Sequence, residues 1–362
     1  MKKILVLAKD IRHQGGYYEF VSMLLDRQGR EADLEYFRVG RPVGSTTALG
    51  RIYSIPYDQA RLASRLLSDH YRCLLFNTSM DESAFIRDSL LIMLATTLSK
   101  RRIVVQVHGW QKEFAKSIAE RRPLRLLFDK SFCRADCIIV LSNRFRDQLI
   151  EMGVEDWRIR VGTSMFDGRL LERRDGVSGD APRTLLYLSR LAKEKGVHEV
   201  LEAFAAISQR HPQTRLVVAG DGPERDALLA KAAALGIAER VTFPGYVRGR
   251  DKARLLEEAD VFLLPTVYGE GLPISMLEAM AAGLAVVVTR AGAIGEWLTD
   301  TENGVLLDTN APEEIAQAVD SLLAEPQRLR EIGERNRTLA WSRFEADHVS
   351  RAVVALCEES CR

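Results

Sequence analysis

Two glutamates, Glu270 and Glu278, bracket a glycine-rich turn in the second half of the chain. An apolar run typical of a buried strand, residues 261–264, precedes the turn, and a helix starts near Pro273, whose fixed φ suits the first helical turn. Free backbone N–H groups at such a helix start favour an anion such as a phosphate. Glu278 is either a solvated helix residue or, since its neighbours are apolar, a buried carboxylate that needs a partner.

Two cations, Arg190 and Lys195, lie in the loop that follows the first predicted strand of the same half. Arginine through its bidentate fork and lysine as a point charge can together neutralise a diphosphate, and the plain alternative is a charge-rich surface loop. A further strand-to-helix turn, residues 219–223, contains Gly220 and Gly222. Cations and a helix start in one half of the chain indicate a phosphorylated ligand.

The first half offers two weaker signals, a glycine pair and a histidine. Gly15 and Gly16 lie between the first predicted strand and the first helix, where glycine lets a ligand approach the backbone but also simply makes a tight turn. His108 ends a predicted strand at the same carboxyl edge. A structural role and a catalytic role are equally consistent with its position.

Several motifs that would point to other functions are missing from the sequence. It has no Asp-x-Asp pair, which argues against a motif-borne divalent metal, no Walker loop, no Gly-x-Ser-x-Gly elbow and no dinucleotide fingerprint. The spacings of the five cysteines favour reduced structural thiols over a disulfide framework or a zinc site.

Composition is that of an ordinary globular protein, with 362 residues, 46% hydrophobic and 28% charged. No apolar run approaches the roughly 18 residues of a membrane span, and the apolar start, residues 1–8, is too short for a signal peptide, so we expect a cytoplasmic protein. Residues 1–175 carry 30 Lys and Arg against 22 Asp and Glu. This excess indicates either an anionic partner of the first half or solvated, arginine-rich helices.

Predicted strands alternate with predicted helices, and most strands are continuous apolar runs, as in parallel sheets covered on both faces. A stretch rich in glycine and charge, residues 162–183, predicts a linker. We therefore expect an α/β protein of two Rossmann-like, doubly wound parallel-sheet domains facing across a cleft, residues 1–165 and 183–343, with a C-terminal helix, 344–362, packed back on the first. Among the helices, we expect helical stretches near 57–69 and near 112–131. Strands are expected near 3–8, 33–38, 72–77, 102–107, 137–141, 158–161, 183–189, 214–219, 240–243, 260–264, 284–288 and 304–307.

Taken in chain order, four segments resemble the retaining glycosyltransferases of family 4, which have the GT-B fold. The segments are residues 189–196, 219–223 and 243–245 and the Glu-x7-Glu pair of residues 270 and 278. The resemblance is strongest between residues 183 and 308. In the first half it rests on Gly15-Gly16 and His108-Gly109.

The resemblance implies a catalytic group of Glu270, His108, Arg190 and Lys195. Arg190 and Lys195 would hold the donor diphosphate and stabilise the charge of the leaving group. Glu270 would bind hydroxyls of the donor sugar, Glu278 would bind those of the ribose, and His108 would lie near the reacting sugar. Further donor contacts, mainly through backbone atoms, are implied for Gly15, Gly16, Gly222, Val247, Gly271, Leu272, Pro273 and Ile274.

The implied reaction moves a sugar from a nucleotide-diphosphate sugar to an acceptor hydroxyl with the anomeric configuration retained, without a metal or a cofactor. UDP is favoured over GDP as the nucleotide. The acceptor would be a carbohydrate or a lipid-linked sugar in the synthesis of a cell-surface polysaccharide, lipopolysaccharide or glycolipid, and no nucleic acid is expected as a partner. The alternatives with the same architecture are a nucleotide-sugar epimerase and a non-catalytic partner subunit.

The segment 112–130 combines apolar and basic side chains and predicts an amphipathic element interrupted by Pro123. Such an element could dock on the inner face of an anionic membrane that carries a lipid-linked acceptor. It could equally be an ordinary amphipathic helix packed on the sheet. The sequence therefore suggests peripheral membrane contact as a hypothesis.

Overall fold

The chain folds into two units, each built on its own sheet. The first unit consists of Met1–Met165 and Ala346–Arg362, and the second of Phe166–Glu345. The structure is a computed structural model that describes residues 3–13, 15–29, 31–40, 48–68, 71–171, 183–269 and 271–359, with side chains from residue 54 onward in the segment 48–68.

The first unit contains a six-stranded sheet in which every pair of neighbouring strands is parallel. Its strands are β1 (Lys3–Ala8), β2 (Leu34–Arg38), β3 (Tyr71–Met80), β4 (Arg102–Trp110), β5 (Cys137–Val140) and β6 (Ile159–Val161). Its helices up to residue 165 are α1 (Gly16–Gln28), α2 (Ala48–Ser68), α3 (Glu82–Leu98), α4 (Lys112–Glu120), α5 (Arg122–Lys130) and α6 (Asn143–Glu151). In the strand order β2-β1-β3-β4-β5-β6, the chain adds strands first on one side of β1 and then on the other, so the topological switch point lies between β1 and β3.

The second unit repeats this architecture with a second parallel sheet. Its strands are β7 (Thr184–Leu188), β8 (Arg215–Ala219), β9 (Val241–Gly245), β10 (Val261–Leu264), β11 (Ala285–Thr289) and β12 (Gly304–Leu307). Its helices are α7 (Val197–Arg210), α8 (Arg225–Ala234), α9 (Gly249–Glu258), α10 (Ile274–Ala282), α11 (Ile294–Trp297), α12 (Pro312–Ala324) and α13 (Pro326–Arg343). The order β12-β11-β10-β7-β8-β9 is that of the doubly wound dinucleotide-binding fold, and its topological switch point lies between β7 and β10.

Continuous apolar strands explain why both sheets are parallel and covered. All residues of β10 and β11 are buried, and so are those of β1 after Lys3. A strand that is apolar on both faces must be covered on both, which helices joining parallel strands provide. The predicted α/β class with two doubly wound parallel sheets is confirmed.

The last helix, α14 (Ala346–Glu358), packs within the first unit on α1, β3 and β4. Arg27 Nη1 donates to both carboxylate oxygens of Asp347 at 2.9 Å, and Arg102 Nε donates to the carbonyl of Leu356 at 2.9 Å. Val353 and Cys357 bury the apolar face of the helix. The helix therefore belongs to the first sheet, although it follows the second unit in sequence.

Two of the predicted helical stretches have a proline in or beside them. The stretch expected near 112–131, with its interruption at Pro123, divides at Arg121 into α4 and α5, because Pro123 lacks the N–H that would continue the first helix and instead suits the start of the second. The helix expected from residue 57 begins at Ala48 and contains Pro56. In addition, Phe166, which lies within the expected linker, pairs with Glu345 in a β-bridge of the second unit.

Candidate active site

The topological switch point of the second sheet brings together the loops that follow β7 and β10. In sheets of this kind, ligands bind beyond the carboxyl ends of the strands at such a point, because the neighbouring loops diverge there. The loop after β7 carries Arg190 and Lys195, and the loop after β10 leads to α10. The predicted cations and the predicted helix start are therefore neighbours in the fold.

Lys195 ends a short 3-10 turn that is tied to the loop after β10. The carbonyl of Glu194 accepts hydrogen bonds from the backbone N–H of Val267 at 3.0 Å and from Thr266 Oγ1 at 3.1 Å. Lys195 Nζ lies 4.8 Å from the centroid of the Tyr268 ring, a cation–π distance. Lys195 is thus held beside the loop that contains the first predicted glutamate.

Arg190 lies in the same loop with its side chain 65% exposed. Its Nη2 donates to Glu194 Oε1 at 2.8 Å. The pKa of Glu194 is lowered, first by a hydrogen bond from its own backbone N–H and further by Arg190. This exposed ion pair leaves the guanidinium largely in solvent, where a ligand oxyanion can compete for it.

Glycines allow the loops of this site to approach one another. Gly222 has φ +158°, and a Cβ there would lie 2.3 Å from the carbonyl oxygen of Leu191. Gly196 has φ +74°, and its Cβ would lie 2.2 Å from the carbonyl oxygen of Pro265. Both glycines have a packing role that positions the loop of Arg190 and Lys195.

The start of α10 differs by one residue from the prediction. Pro273, expected in the first turn, is the N-cap, with φ −64° and ψ 123°. Its carbonyl accepts the N–H groups of Met276 and Leu277, and within the described residues the N–H groups of Leu272, Ile274 and Ser275 donate no backbone hydrogen bond. Such N–H groups and the helix dipole favour an anion at this point.

Glu278 is buried within α10, as its apolar neighbours indicate. Its carboxylate accepts a hydrogen bond from Lys252 Nζ on α9 at 2.6 Å, with the two side chains 8% and 19% exposed. The partner that a buried carboxylate requires is therefore a lysine that the sequence analysis missed. A usable signal exists, since Lys252 lies four positions before the buried Leu256 and so shares its helix face.

The other residues of the second unit that are predicted to contact the donor lie in the loop before α10 and in the turn between β9 and α9. Gly271 and Leu272 are buried, and the carbonyl of Gly271 accepts the N–H of Ala293 at 3.2 Å. Val247 is partly buried against the core, in the turn between β9 and α9. Glu270 lies outside the described residues.

In the first unit, His108 lies near the end of β4 and packs against the rings of Tyr17 and Phe20, with centroids 5.1 and 4.7 Å away. Burial lowers the pKa of His108 to about 3, so the imidazole is neutral near pH 7. Its Nε2 lies 2.9 Å from Asn77 Oδ1, and since that oxygen is an acceptor, Nε2 carries the hydrogen.

Gly15 and Gly16 form the exposed start of α1. The carbonyl of Gly15 accepts the N–H groups of Tyr18 and Glu19 at 3.0 and 3.1 Å. The glycine pair and His108 thus lie at the carboxyl edge of the first sheet, on the loop after β1 and near the end of β4.

Across the ranges that the structure describes, no three His, Cys, Asp or Glu side chains are grouped in a way that could hold a metal ion. Nor does any described helix combine the length and apolarity needed to cross a membrane.

Relatives of known class match this chain in sequence. The family model for Glycosyl transferases group 1 matches residues 169–339. An uncharacterized glycosyltransferase of Methanocaldococcus jannaschii is 30% identical over 225 residues, which are 62% of this chain and 57% of that protein. The GDP-mannose-dependent alpha-(1-6)-phosphatidylinositol monomannoside mannosyltransferase of Mycolicibacterium smegmatis is 31% identical over 264 residues, 69% of this chain and 68% of that protein.

Solved structures match the fold over nearly the whole chain. Sucrose-phosphate synthase from Thermosynechococcus elongatus has a TM-score of 0.80 at 18% identity, with 98% of each chain covered. Anabaena HepE in complex with UDP and glucose has a TM-score of 0.76 at 20% identity, covering 99% of this chain and 100% of that chain. The fold is thus GT-B, and the family match together with the mannosyltransferase relative shows that this chain belongs to the group 1 glycosyltransferases.

Proposed function

We propose that the protein transfers a sugar from a nucleotide-diphosphate sugar to an acceptor hydroxyl with the anomeric configuration retained. The observation that carries this proposal is the grouping of Arg190, Lys195 and the start of α10 at the topological switch point of the second sheet. These groups match a diphosphate, since two cations and free helix N–H groups can all act on phosphate oxygens. Charge that develops on the leaving diphosphate would be stabilised by the same groups.

We assign the remaining donor contacts to the residues around this anion site. Glu278, oriented by Lys252, would accept hydrogen bonds from the ribose hydroxyls. Glu270 would bind hydroxyls of the donor sugar, and Val247 would line the base site. Gly271, Leu272 and Ile274 would contribute backbone groups near the sugar and phosphates, with Gly222 shaping the loop opposite.

His108 and the glycine pair would serve the reacting sugar and the phosphate from the first unit. Because His108 is neutral, it acts as a hydrogen-bonding group and not as a cation. We infer a front-face displacement without a metal, in which the leaving phosphate accepts the proton of the acceptor hydroxyl. The predicted family 4 assignment and the retained configuration belong to this proposal.

The nucleotide is proposed to be UDP in preference to GDP. HepE was solved with UDP and glucose, whereas the mycobacterial relative is named as GDP-mannose-dependent. The acceptor is proposed to be a carbohydrate or a lipid-linked sugar of a surface polysaccharide, lipopolysaccharide or glycolipid, and the protein is proposed to work in the cytoplasm. Curated relatives include putative colanic acid and lipopolysaccharide core glycosyltransferases.

A thermal-shift panel of UDP, GDP and ADP sugars tests the donor. At one fixed ligand concentration, the nucleotide sugar with the lowest Kd stabilises the folded protein most, by about 2.7 kcal/mol when that concentration is 100 times its Kd. Lys195→Ala and Glu278→Ala should abolish the shift, Glu270→Ala should reduce turnover more than binding, and Lys193→Ala is the matched control on the same turn, since Lys193 is exposed. Equal shifts in all four variants would refute the donor site.

Product analysis separates the alternatives. NMR of the anomeric proton of the product should report the configuration of the donor, and an inverted product would refute retention. Conversion of the nucleotide sugar without an acceptor would instead indicate an epimerase. Binding of a nucleotide sugar with no turnover across acceptors would indicate a non-catalytic subunit.

We propose membrane contact through the exposed basic residues of α4 and α5. Ile118 and Phe128 are buried and Phe114 contacts Phe85, so the apolar face is largely used within the first unit. Of the large apolar residues of these two helices, Leu126 is the exposed one, at 55%. Contact would therefore be mainly electrostatic, and co-sedimentation with anionic liposomes that survives Arg121→Glu would contradict it.

A further inference from the structure

The first sheet also has a topological switch point, between β1 and β3, and several charged residues lie near it. Lys9 directly follows β1, and Asp81 follows β3 as the N-cap of α3. Arg87 lies on α3 and is buried. In this Lys9–Arg87 cluster, Lys9 lies in the loop after the first strand of its unit, as Arg190 and Lys195 do in the second unit, and Arg87 lies on the helix after the neighbouring strand.

Two tyrosines hold the backbone of Lys9 in place. Its N–H donates to Tyr17 Oη at 3.1 Å, and its carbonyl accepts from Tyr36 Oη at 2.8 Å. Tyr17 Oη in turn donates to the carbonyl of Asn77 at 2.8 Å, and the side chain of Asn77 bonds His108. A chain of hydrogen bonds therefore connects the position of Lys9 to that of His108.

The ammonium group of Lys9 has no hydrogen-bond or ion-pair partner within the part of the chain that the structure describes. Lys9 is partly buried, and its pKa is lowered, first by that burial and then by the positive charge of Arg87. The positive charge of Arg87 therefore acts on Lys9 across the neighbouring carboxyl ends of β1 and β3. Asp81 and Asp88 act in the opposite direction on Lys9, with smaller effects.

The neighbouring carboxylates are already occupied. Asp88 accepts from Arg87 Nε and Nη2, each at 2.7 Å, and also from Thr78 Oγ1. Asp81 Oδ1 accepts the N–H of Ala84 at 3.0 Å and the hydroxyl of Ser83 at 2.8 Å. Asp58 accepts the N–H of Gly40 at 2.6 Å and pairs with Arg61. Burial raises the pKa of Asp58, and the charge of Arg87 acts in the opposite direction.

Arg87 keeps unused hydrogen-bonding capacity. Its Nε and Nη2 are used by Asp88, while Nη1 has no partner within the described ranges. The ion pair with Asp88 fixes the plane of the guanidinium, which favours a planar or tetrahedral oxyanion at its free side.

We propose that Lys9 and Arg87 bind an oxyanion carried by the acceptor sugar, a phosphate or a carboxylate. The proposal rests on the proposed function, because it takes the first unit to be the acceptor side. An oxyanion bound by both residues would supply the partner that the Lys9 ammonium lacks and would use the free Nη1 of Arg87. The acceptor class would then be an anionic sugar and not a neutral one.

Calorimetric binding of glucose 6-phosphate, glucuronate and glucose to the full chain tests the proposal. We use a Lys195→Ala background, so that phosphate binding at the second unit does not contribute. Glucose 6-phosphate, glucuronate or both should bind, and the comparison decides between phosphate and carboxylate. Lys9→Met should weaken that binding at least tenfold, and Lys3→Met, at the opposite end of β1, should not change it.

Three results would overturn the proposal. They are equal binding in Lys9→Met, equal binding of neutral glucose, and loss of all binding in the Lys195→Ala background. As a measurement independent of affinity, NMR of labelled lysines should show the pKa of Lys9 rising when glucose 6-phosphate is added. Nucleotide binding is measured separately and depends on Lys195, so failure of the donor site and failure of the Lys9–Arg87 cluster are distinguishable.

Discussion

Replacing Lys252 with methionine removes the partner of a buried carboxylate and should destabilise the second unit. Lys252 Nζ donates to Glu278 Oε1 at 2.6 Å, with side chains 19% and 8% exposed. Methionine keeps the aliphatic volume of the stem and removes only the charge and the donor. The change therefore isolates the ion pair from the packing of α9 on α10.

The expected loss follows from the burial of the pair. Breaking a buried ion pair from one side costs about 3–5 kcal/mol, because the other charge stays desolvated. Both side chains make further polar contacts, and Lys252 keeps some access to solvent, so we expect a smaller loss than that range, about 2–3 kcal/mol. For a unit of this size that loss corresponds to a fall in Tm of roughly 4–12 °C.

Thermal and urea unfolding of four chains measures this loss: wild type, Lys252→Met, Glu278→Gln and the double variant. The double variant should be more stable than Lys252→Met, because no uncompensated charge remains. Arg254→Met is the matched control on the same helix, since Arg254 forms an exposed pair with Glu258, and we expect no measurable change there. A Lys252→Met variant as stable as wild type would refute the account of Glu278 as a carboxylate that depends on its lysine.

Two further predictions concern a loop glycine and the buried histidine. Gly222→Ala should lower both the stability of the fold and the affinity for the nucleotide, because its Cβ would lie 2.3 Å from the carbonyl oxygen of Leu191. The control is Gly236→Ala, which has φ +70° and nothing within 4 Å of its Cβ, so it meets only backbone strain of about 1–2 kcal/mol. Equal losses of stability of the two variants in urea unfolding would contradict the close approach at Gly222. The pKa of His108 falls from 6.5 to about 3 in the folded chain, so its contribution to stability is complete above pH 6.5 and is lost as the pH falls from 6.5 toward 3, at up to about 1.4 kcal/mol per pH unit. Over that range His108→Gln should lose stability less steeply than wild type, and parallel pH curves would show that the imidazole is not held neutral.

Much of the fold could be predicted because its strands are continuous apolar runs. A run such as residues 285–288 cannot face water on either side, so a parallel sheet covered by helices is the economical solution. The predicted start of α2 was wrong beside a proline, where local and tertiary effects compete. Pro123 ended a helix as its chemistry requires, whereas Pro56 lies inside α2.

The candidate site was predictable where function depends on residue type at a strand end. Arg190, Lys195 and the start of α10 follow β7 and β10, and the topology of the sheet brings these ends together. Gly222 was predicted as a donor residue, and the structure adds that it packs against Leu191. The role of Glu270 stays a prediction.

By itself, the sequence determined the two parallel sheets and the residue types at their carboxyl ends, because burial and local backbone chemistry act between near neighbours in the chain. Only the tertiary structure decided which charges meet. Lys252 and Glu278 are 26 positions apart, and Lys9 follows β1 whereas Arg87 lies on the helix after β3. The physical reason is that the energy of a buried charge depends on distances of a few ångströms between elements, and helix packing sets those distances.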